Sequence, residues 1–304
     1  DSAFKICNFE IMFTDQCWNQ YTVDYDPGYY ALVFRIDSLV AHSARAAVMK
    51  KVTDPKLLAI LGKDAFEVET LDDYITAVDS AFHINVAHKA VALKNALAYE
   101  RSIDFDFVTY QEAQALFAKV KPDASEQKKI QDYMFHWVIQ KSIEYKLPIQ
   151  IHTGFLAGNN SWLDRAQPMK LLPLFKRYPN AHFVLFHGAY PWMSEWIAIG
   201  KNFTNVSLDI VWLSQISRTA AIRSLHELLD CVPYNKICWG GDVGTIEESA
   251  GSLELAKEVV ATVLAERVDR GWMTIDVAED IALKIFRQNA IEQYNLTEKL
   301  GIQK

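Results

Sequence analysis

The sequence is poor in features that mark several common protein classes. It has only 4 cysteines in 304 residues, and none of them belongs to a Cys-x-x-Cys pair, which argues against a disulfide scaffold or a cysteine-based zinc module. Its 12 glycines and 9 prolines are spread along the chain, so no linker-like tract marks a domain boundary. Its apolar runs are far shorter than the roughly 20 residues that a membrane-spanning helix requires.

The chain also lacks an excess of positive charge. Its 31 Lys and Arg against 38 Asp and Glu give a formal net charge of −7. Nucleic acids and anionic membranes are bound through basic surfaces, so we expect neither partner. We expect a small-molecule substrate instead, and the composition leaves open whether the chain forms a homo-oligomer. The sparse cysteines, together with an amino terminus that has no signal-peptide pattern, favour a cytoplasmic protein.

Half of the residues are hydrophobic, and they form short apolar runs separated by longer segments of helical periodicity. This alternation predicts parallel strands joined by crossover helices, and hence an α/β fold. The predicted strands cover residues 31–36, 90–97, 148–153, 182–187, 205–210 and 236–241. The predicted helices cover residues 38–61, 71–82, 110–120, 125–145, 168–178, 194–203, 216–229, 249–269 and 275–294.

We expect one domain over residues 1–304, with an irregular segment at 1–30 and carboxy-terminal helices over 249–304. Periodicity alone fits both a (β/α)8 barrel and an open doubly wound sheet. No glycine-rich nucleotide-binding motif follows any predicted strand. Polar residues lie at the carboxyl ends of the strands, where barrel enzymes assemble their active sites, and this favours the barrel.

Two histidines and an aspartate follow three of the predicted strands. His152 and His187 each end an apolar run and precede a glycine turn, while Asp242 follows an apolar run and two glycines. A lone histidine at a strand end is more often structural than functional, but three such residues favour a shared site. Imidazole nitrogen and carboxylate oxygen are zinc ligands. We therefore predict that His152, His187 and Asp242 hold a divalent metal, expected to be zinc, which activates a water molecule.

A second group of polar residues lies at the end of the strand predicted over 90–97. Lys94 interrupts this otherwise apolar strand, so its ammonium must be paired or directed into a polar cavity. Tyr99 and Arg101 follow, and a phenol beside a guanidinium is suited to a substrate carboxylate. We predict substrate binding by Lys94, Tyr99 and Arg101. A salt-bridged loop is the competing interpretation for the last two.

Three further charged residues lie at or near the ends of predicted strands. Arg35 and Asp37 flank Ile36 and point to the same side of the strand, so they form either an internal ion pair or a substrate contact. Asp209 lies among apolar neighbours, which indicates a perturbed pKa and a role in the site. Nucleophile chemistry finds little support, since no Gly-x-Ser-x-Gly motif is present and Cys238 lies inside an apolar strand.

The order of four motifs resembles that of the amidohydrolase superfamily. The motifs are Ile149-Gln-Ile-His-Thr-Gly, Leu185-Phe-His-Gly, Trp239-Gly-Gly-Asp and Asn289-Ala-Ile-Glu-Gln-Tyr. The resemblance covers about residues 30–296 and is strongest to the branch of aminocarboxymuconate-type decarboxylases, with similarity to uronate isomerases. It implies a (β/α)8 barrel of the metal-dependent hydrolase type.

The resemblance also implies roles for individual residues. His152 would be a metal ligand, His187 would bind metal or assist catalysis, and Asp242 would bind metal and transfer protons as general base. Family members carry a His-x-His pair on their first strand, and this sequence contains none. We expect either that this strand precedes Asp1 or that half of the metal site has been lost.

These observations favour a metal-dependent hydrolase that acts on a small, carboxylated substrate. Decarboxylation or isomerisation of a sugar acid, each assisted by a metal, is the second expectation. A barrel that binds a ligand without catalysis is the third, and metal content would separate it from the two enzymes.

Overall fold

The structure, a computed structural model, describes residues 2–15 and 23–303. Over these residues the strands are β1 Met12–Asp15, β2 Tyr30–Arg35, β3 Lys51–Val52, β4 Phe66–Glu67, β5 Ala92–Asn95, β6 Ile149–Ile151, β7 Phe183–Leu185, β8 Val206–Asp209 and β9 Ile237–Cys238. All six predicted strands are present. Strand β2 begins and ends one residue earlier than predicted, and the other five are shorter than predicted.

Helices occupy most of the intervening chain. Those that the described residues form are α1 Ser2–Cys7, α2 Asp37–Met49, α3 Pro55–Leu61, α4 Leu71–Ala87, α5 Tyr110–Phe117, α6 Ala124–Glu144, α7 Leu172–Arg177, α8 Met193–Asn202, α9 Leu213–Ile216, α10 Arg218–Cys231, α11 Ile246–Asp269, α12 Ile275–Leu283, α13 Asn289–Gln293 and α14 Leu296–Leu300. No described helix is both long enough and apolar enough to cross a membrane.

The chain divides into two compact units. The amino-terminal unit comprises Ile11–Leu97 and Asp104–Ile149, and the carboxy-terminal unit comprises Asp1–Glu10, Ala98–Ile103 and Gln150–Lys304. The one-domain organisation stays a prediction.

The amino-terminal unit contains three parallel strands in the order β1, β2, β5. Phe13 is in register with Ala31, and Arg35 with Lys94. The side chains of residues 31–34 and 90–93 are almost completely buried, as expected for strands that are covered on both faces. A short antiparallel pair, β3 with β4, is additional to the predicted strands.

The carboxy-terminal unit carries β6, β7, β8 and β9 in that order. Phe183 pairs with Val206, and Leu208 with Ile237, both in parallel register. Between β6 and β7, the Phe186 amide donates to the Ile151 carbonyl at 3.0 Å. Parallel strands of this kind need helical crossovers, which explains the regular alternation of elements.

Three of the described helices begin at a capping box, in which a side chain and the third helical residue bond to each other's backbone. The boxes are Thr70 with Asp73, Asp123 with Glu126, and Thr245 with Glu248. The third box starts α11 at Ile246, so the carboxy-terminal helices begin three residues before the predicted Ser249. Apolar periodicity does not predict the first turn of α11, because that turn contains two glutamates.

The predicted helix over residues 38–61 is wrong as a continuous element. Lys50 has a left-handed φ of 51° and ends α2, and Asp54 caps α3, whose first residue is Pro55. Proline is favoured in the first helical turn, where its missing N–H costs nothing. The helix predicted over 216–229 corresponds to α10, which begins two residues later, because extended Ser217 separates it from the additional short helix α9.

The amino-terminal residues are more regular than predicted. The irregular segment over 1–30 contains α1 and β1, and residues 16–22 of it lie outside the described residues. Strand β1 is only four residues long, and all four are in register with β2. A strand stabilised by its neighbour leaves little trace in local periodicity.

Candidate active site

His152 is the first residue after β6. The three residues of that strand are buried, and His152 itself is 3% exposed. Its Nε2 atom lies 2.8 Å from the carbonyl oxygen of Phe155. A carbonyl only accepts hydrogen bonds, so this contact assigns a proton to Nε2 and leaves the lone pair of a neutral imidazole on Nδ1.

His187 follows β7 closely and is completely buried. Its backbone has a left-handed φ of 70°, and Gly188 continues in the same region at φ 56°. A side chain at Gly188 would meet Leu213, because an added Cβ would lie 2.6 Å from its Cδ2 atom. Such backbone strain at a non-glycine residue costs about 1–3 kcal/mol and is often found at functional sites.

The two imidazoles face each other directly. His187 Nε2 lies 2.9 Å from His152 Nδ1, and the ring centroids are 4.2 Å apart. On its far side, His187 Nδ1 lies 3.3 Å from the carbonyl oxygen of Val211, which assigns the second proton to Nδ1. With both rings neutral, two lone pairs would face each other across 2.9 Å and repel unless a proton or a cation lay between them, so this position is suited to a cation.

Asp242 supplies a carboxylate beside this pair. Its Oδ2 atom lies 3.6 Å from His187 Nε2, and its side chain is 41% exposed. Asp242 also has a left-handed φ, 50°, and lies in the turn between β9 and α11. The structure thus brings together His152, His187 and Asp242, the three residues that the strand-end pattern singled out.

Aromatic side chains surround the imidazoles. The ring of Tyr99 packs edge-on against His152 with centroids 4.9 Å apart, and its hydroxyl oxygen accepts from the Ala157 amide at 3.0 Å. Trp212 packs against His187 at 5.4 Å and against Phe155 at 5.9 Å. Tyr99 is 44% exposed, so its phenol is accessible to a ligand that approaches His152.

The remaining predicted site residues have different surroundings. Arg101 is half-buried in the carboxy-terminal unit, and its Nε donates to the Ser102 carbonyl at 3.1 Å. Asp209 is 5% exposed, and its Oδ1 accepts from the Val211 amide at 2.9 Å. Lys94 belongs to the amino-terminal unit, where it lies on β5 and is 4% exposed. Substrate binding by Lys94 stays a prediction.

Arg35 and Asp37 form an ion pair, one of the two arrangements that their spacing allowed. Within the amino-terminal unit, Arg35 lies 2.9 Å from Asp37 and 2.8 Å from Asp15. Asp37 also accepts from the Ala96 amide at 2.7 Å. Burial raises the pKa of the Asp37 carboxyl, and the Arg35 charge opposes that rise. These contacts are those of a structural ion pair.

The donor atoms of this site are of the kinds that bind a divalent ion, but they do not form a complete set of ligands. Two imidazole nitrogens and a carboxylate oxygen are ligands that zinc and similar ions accept, and carbonyls fix the tautomers of both rings. Within residues 2–15 and 23–303, no group of three or more His, Cys, Asp or Glu has the geometry of a metal site. Asp242 is therefore near enough to contact His187 but does not complete a three-ligand site.

The comparison with known proteins decides the family. Residues 106–296 match the profile of the family described as amidohydrolase. The chain belongs to the amidohydrolase family. The match includes His152, His187 and Asp242, and the resemblance seen in the sequence motifs is confirmed.

A curated relative of this amidohydrolase is the protein fluG of Emericella nidulans. The two are 26% identical over 225 residues, which cover 69% of this chain and 26% of fluG. The chain thus spans about a quarter of the length of that relative.

Solved structures with a similar fold cover almost the whole chain. A protein provisionally described as a metal-dependent hydrolase, from Lactobacillus casei, has a TM-score of 0.75 and 18% identity, and the match covers 99% of this chain and 77% of that one. Uronate isomerase from Thermotoga maritima has a TM-score of 0.76 and 15% identity, with 96% and 69% covered. Glucuronate isomerase from Caulobacter crescentus has a TM-score of 0.72 and 17% identity, with 96% and 65% covered. The predicted α/β fold of the TIM-barrel type is confirmed.

Proposed function

We propose that this amidohydrolase is a metal-dependent hydrolase that acts on a small, carboxylated substrate. The observation that carries the proposal is the pair of facing imidazole nitrogens, 2.9 Å apart, with a carboxylate oxygen 3.6 Å from one of them. Their lone pairs converge where a cation would be stabilised, and neighbouring carbonyls hold both rings in that orientation.

His152, His187 and Asp242 are the residues that would hold the metal, which we propose to be zinc. When bound, a divalent ion lowers the pKa of a water molecule and polarises a carbonyl oxygen. The similarity in fold to a metal-dependent hydrolase supports the presence of such an ion.

The residues of the chain itself have distinct roles in this proposal. Asp242 is 41% exposed, so a substrate can reach its carboxylate, which would accept a proton as general base. His187 is buried beside it, and because its N–H faces the Val211 carbonyl, its part would be to hold the metal, which stabilises negative charge on the substrate when bound. The Arg101 guanidinium and the Tyr99 phenol would hold the substrate carboxylate. Trp212 would exclude water from one side of the imidazoles.

An isomerase of sugar acids is the second candidate. It is favoured by the fold, because uronate isomerase matches 96% of this chain with a TM-score of 0.76. The sequence motifs are also compatible with a metal-assisted decarboxylase and with a barrel that binds a ligand without catalysis. The hydrolase is placed first because the exposed Asp242 carboxylate could accept the proton of an attacking water. An isomerase would use the same carboxylate to move a proton within the substrate, and the choice of substrate separates the two.

The test compares hydrolysis, isomerisation and metal content on one preparation of the chain. We expect turnover of N-acyl amino acids, no isomerisation of hexuronates, about one equivalent of metal, and loss of activity with a chelator that zinc restores. Isomerisation without hydrolysis would replace the proposal by the second candidate. A protein without metal that is indifferent to chelators would support the non-catalytic barrel.

The carboxylate preference rests on Arg101. In Arg101→Met we expect kcat/KM for an N-acyl amino acid to fall by at least tenfold, about the value of one charge-assisted hydrogen bond. The neutral N-acyl amine should be hydrolysed within twofold of wild type. Arg218→Met, which removes an exposed arginine on α10, is the control. Equal losses on both substrates would mean that Arg101 is structural.

A further inference from the structure

Asp242 has little in its own surroundings to hold it in place. It belongs to no helix or strand, its side chain is 41% exposed, and its backbone is in the left-handed region. We define residues 239–244 as the Asp242 turn. Because an exposed carboxylate is mobile, its 3.6 Å distance to His187 must be set by the backbone of this turn.

Gln215 reaches this backbone from α9. Its Nε2 donates to the Gly241 carbonyl at 3.1 Å, one residue before Asp242, and to Ser252 Oγ at 2.6 Å. Ser252 lies on α11 and is 2% exposed. The amide group of Gln215 thus joins three elements, namely α9, the Asp242 turn and α11.

The contact with Gly241 fixes the orientation of the amide. A carbonyl oxygen only accepts, so the nitrogen of Gln215 must face Gly241, and both of its protons are then used. The buried Oε1 atom has no hydrogen-bond partner among the residues that the structure describes. An unsatisfied buried acceptor is unfavourable for folding. The stabilising contribution of Gln215 therefore comes from its two N–H donors.

The chain just before Gln215 contacts His187. Val211 accepts at its carbonyl from His187 Nδ1 at 3.3 Å, and the Trp212 ring packs on the same imidazole. This segment also pairs with the strand that leads into the Asp242 turn, since the Ile210 amide donates to the Cys238 carbonyl at 2.9 Å. The segment 209–215 therefore contacts His187, and its last residue, Gln215, reaches the Gly241 carbonyl of the Asp242 turn.

We propose that Gln215 is a positioning residue that holds the Asp242 turn, and through it the Asp242 carboxylate, against His187. The catalytic consequence rests on the proposed function, whereas the hold on the turn does not. Nothing in the sequence indicates this role, because Gln215 lies outside every predicted strand and helix and its two partners are 26 and 37 residues away.

The test uses two substitutions of Gln215 and one matched control. Gln215→Met keeps the length of the side chain without hydrogen bonds, and Gln215→Glu keeps its volume but cannot donate to Gly241. Gln293 on α13 is the control residue, since its Nε2 donates to the Asn235 carbonyl at 2.9 Å and its Oε1 is also unsatisfied among the described residues. Gln293→Met therefore loses the same kind of bond away from the Asp242 turn.

Hydrogen exchange of the apo protein gives the readout that needs no activity. We expect exchange in peptides covering 239–252, where the amides of Gly244, Thr245 and Ser249 are hydrogen-bonded, to be at least tenfold faster in Gln215→Met and in Gln215→Glu, and unchanged in Gln293→Met. Unchanged exchange in Gln215→Met or in Gln215→Glu would overturn the proposal. Should Gln215→Met fail to fold, Gln215→Glu carries the test alone.

Kinetics then test the consequence for catalysis. We expect kcat to fall about tenfold with KM within twofold in both variants of Gln215, because misplacement of a catalytic group acts on the reacting state. A packing role alone predicts near wild-type kcat in Gln215→Glu, and that result would overturn the catalytic part. If wild type hydrolyses nothing, the proposed function fails, and the exchange result still decides whether Gln215 holds the turn.

Discussion

Two histidines lie at opposite ends of β7 and differ in every respect that matters for chemistry. His182 precedes the strand, and its Nε2 lies 2.9 Å from Ser207 Oγ on the neighbouring strand. Burial lowers the pKa of His182 to about 4. His187, beyond the other end, contacts a second imidazole and a carboxylate. Both interrupt the same apolar run, so the local sequence treats them alike.

Burial by itself does not make a site, as this pair of histidines shows. His182 contacts the Ser207 hydroxyl and the Gln293 backbone but, among the residues that the structure describes, no second imidazole or carboxylate, and burial lowers its pKa. His187 meets groups from three other chain segments, namely His152, Val211 and Asp242. Chemistry requires several groups whose donors and acceptors converge, and of the two ends of β7 the carboxyl-terminal one provides them.

The largest effect that would test the contrast between these histidines comes from Asp242→Asn. We expect turnover to fall at least ~100-fold, because the amide cannot accept the proton. The melting temperature should stay within about 2 °C, since the side chain is 41% exposed. Asp269→Asn, at the exposed end of α11, is the control and should leave both quantities unchanged. Retained turnover in Asp242→Asn would remove the role that we assign to this residue.

The effect of intermediate size is a change in zinc affinity, which compares the candidate site with the amino-terminal end of β7. We expect His152→Ala to weaken zinc binding at least ~10-fold in a calorimetric titration, because it removes one of the proposed ligands. His182→Ala removes an imidazole from the other end of β7 and should bind zinc as wild type does. Equal affinity in wild type and His152→Ala would refute ligation by His152.

The smallest effect concerns the pH dependence of stability. The pKa of His182 is about 4 in the folded state against 6.5 for the free side chain, so between these values the unfolded chain binds more protons. The free energy of unfolding should therefore fall as the pH falls from about 6.5 to about 4, by up to ~1.4 kcal/mol per pH unit from this residue.

Urea unfolding at several pH values measures this contribution. His182→Gln keeps a polar partner for Ser207 but does not titrate, so its stability should fall less steeply over that pH range. Parallel curves for His182→Gln and wild type would show that His182 contributes nothing to the acid sensitivity of the fold.

Much of the fold was predictable because its signals are local. Six apolar runs correspond to six strands of the structure, and helical periodicity located α4, α6 and α8 to within a few residues at most ends. The wrong predictions occurred where local signals conflict with the fold. Lys50 ends a helix in the left-handed region within a continuous helical pattern, and β1 has only four residues, all in register with β2.

The candidate site was predictable only as a set of residue types. Strand ends identified His152, His187 and Asp242, because the geometry of parallel strands brings those ends together. The pattern did not distinguish the ion-paired Arg35 from an arginine that binds substrate. It also missed Gln215 and the carbonyl of Val211, since a main-chain acceptor and a glutamine between two predicted elements carry no mark in the sequence.

Local sequence was thus enough to specify the alternation of strands and helices, the family, and which side chains follow the strands, because each depends on patterns spanning a few residues. Packing of the whole chain was needed to show that two imidazole nitrogens lie 2.9 Å apart, that carbonyls fix their tautomers, and that a glutamine from another segment contacts the turn of Asp242. Hydrogen bonds act over about 3 Å, and residues far apart along the chain reach that distance only when the core packs.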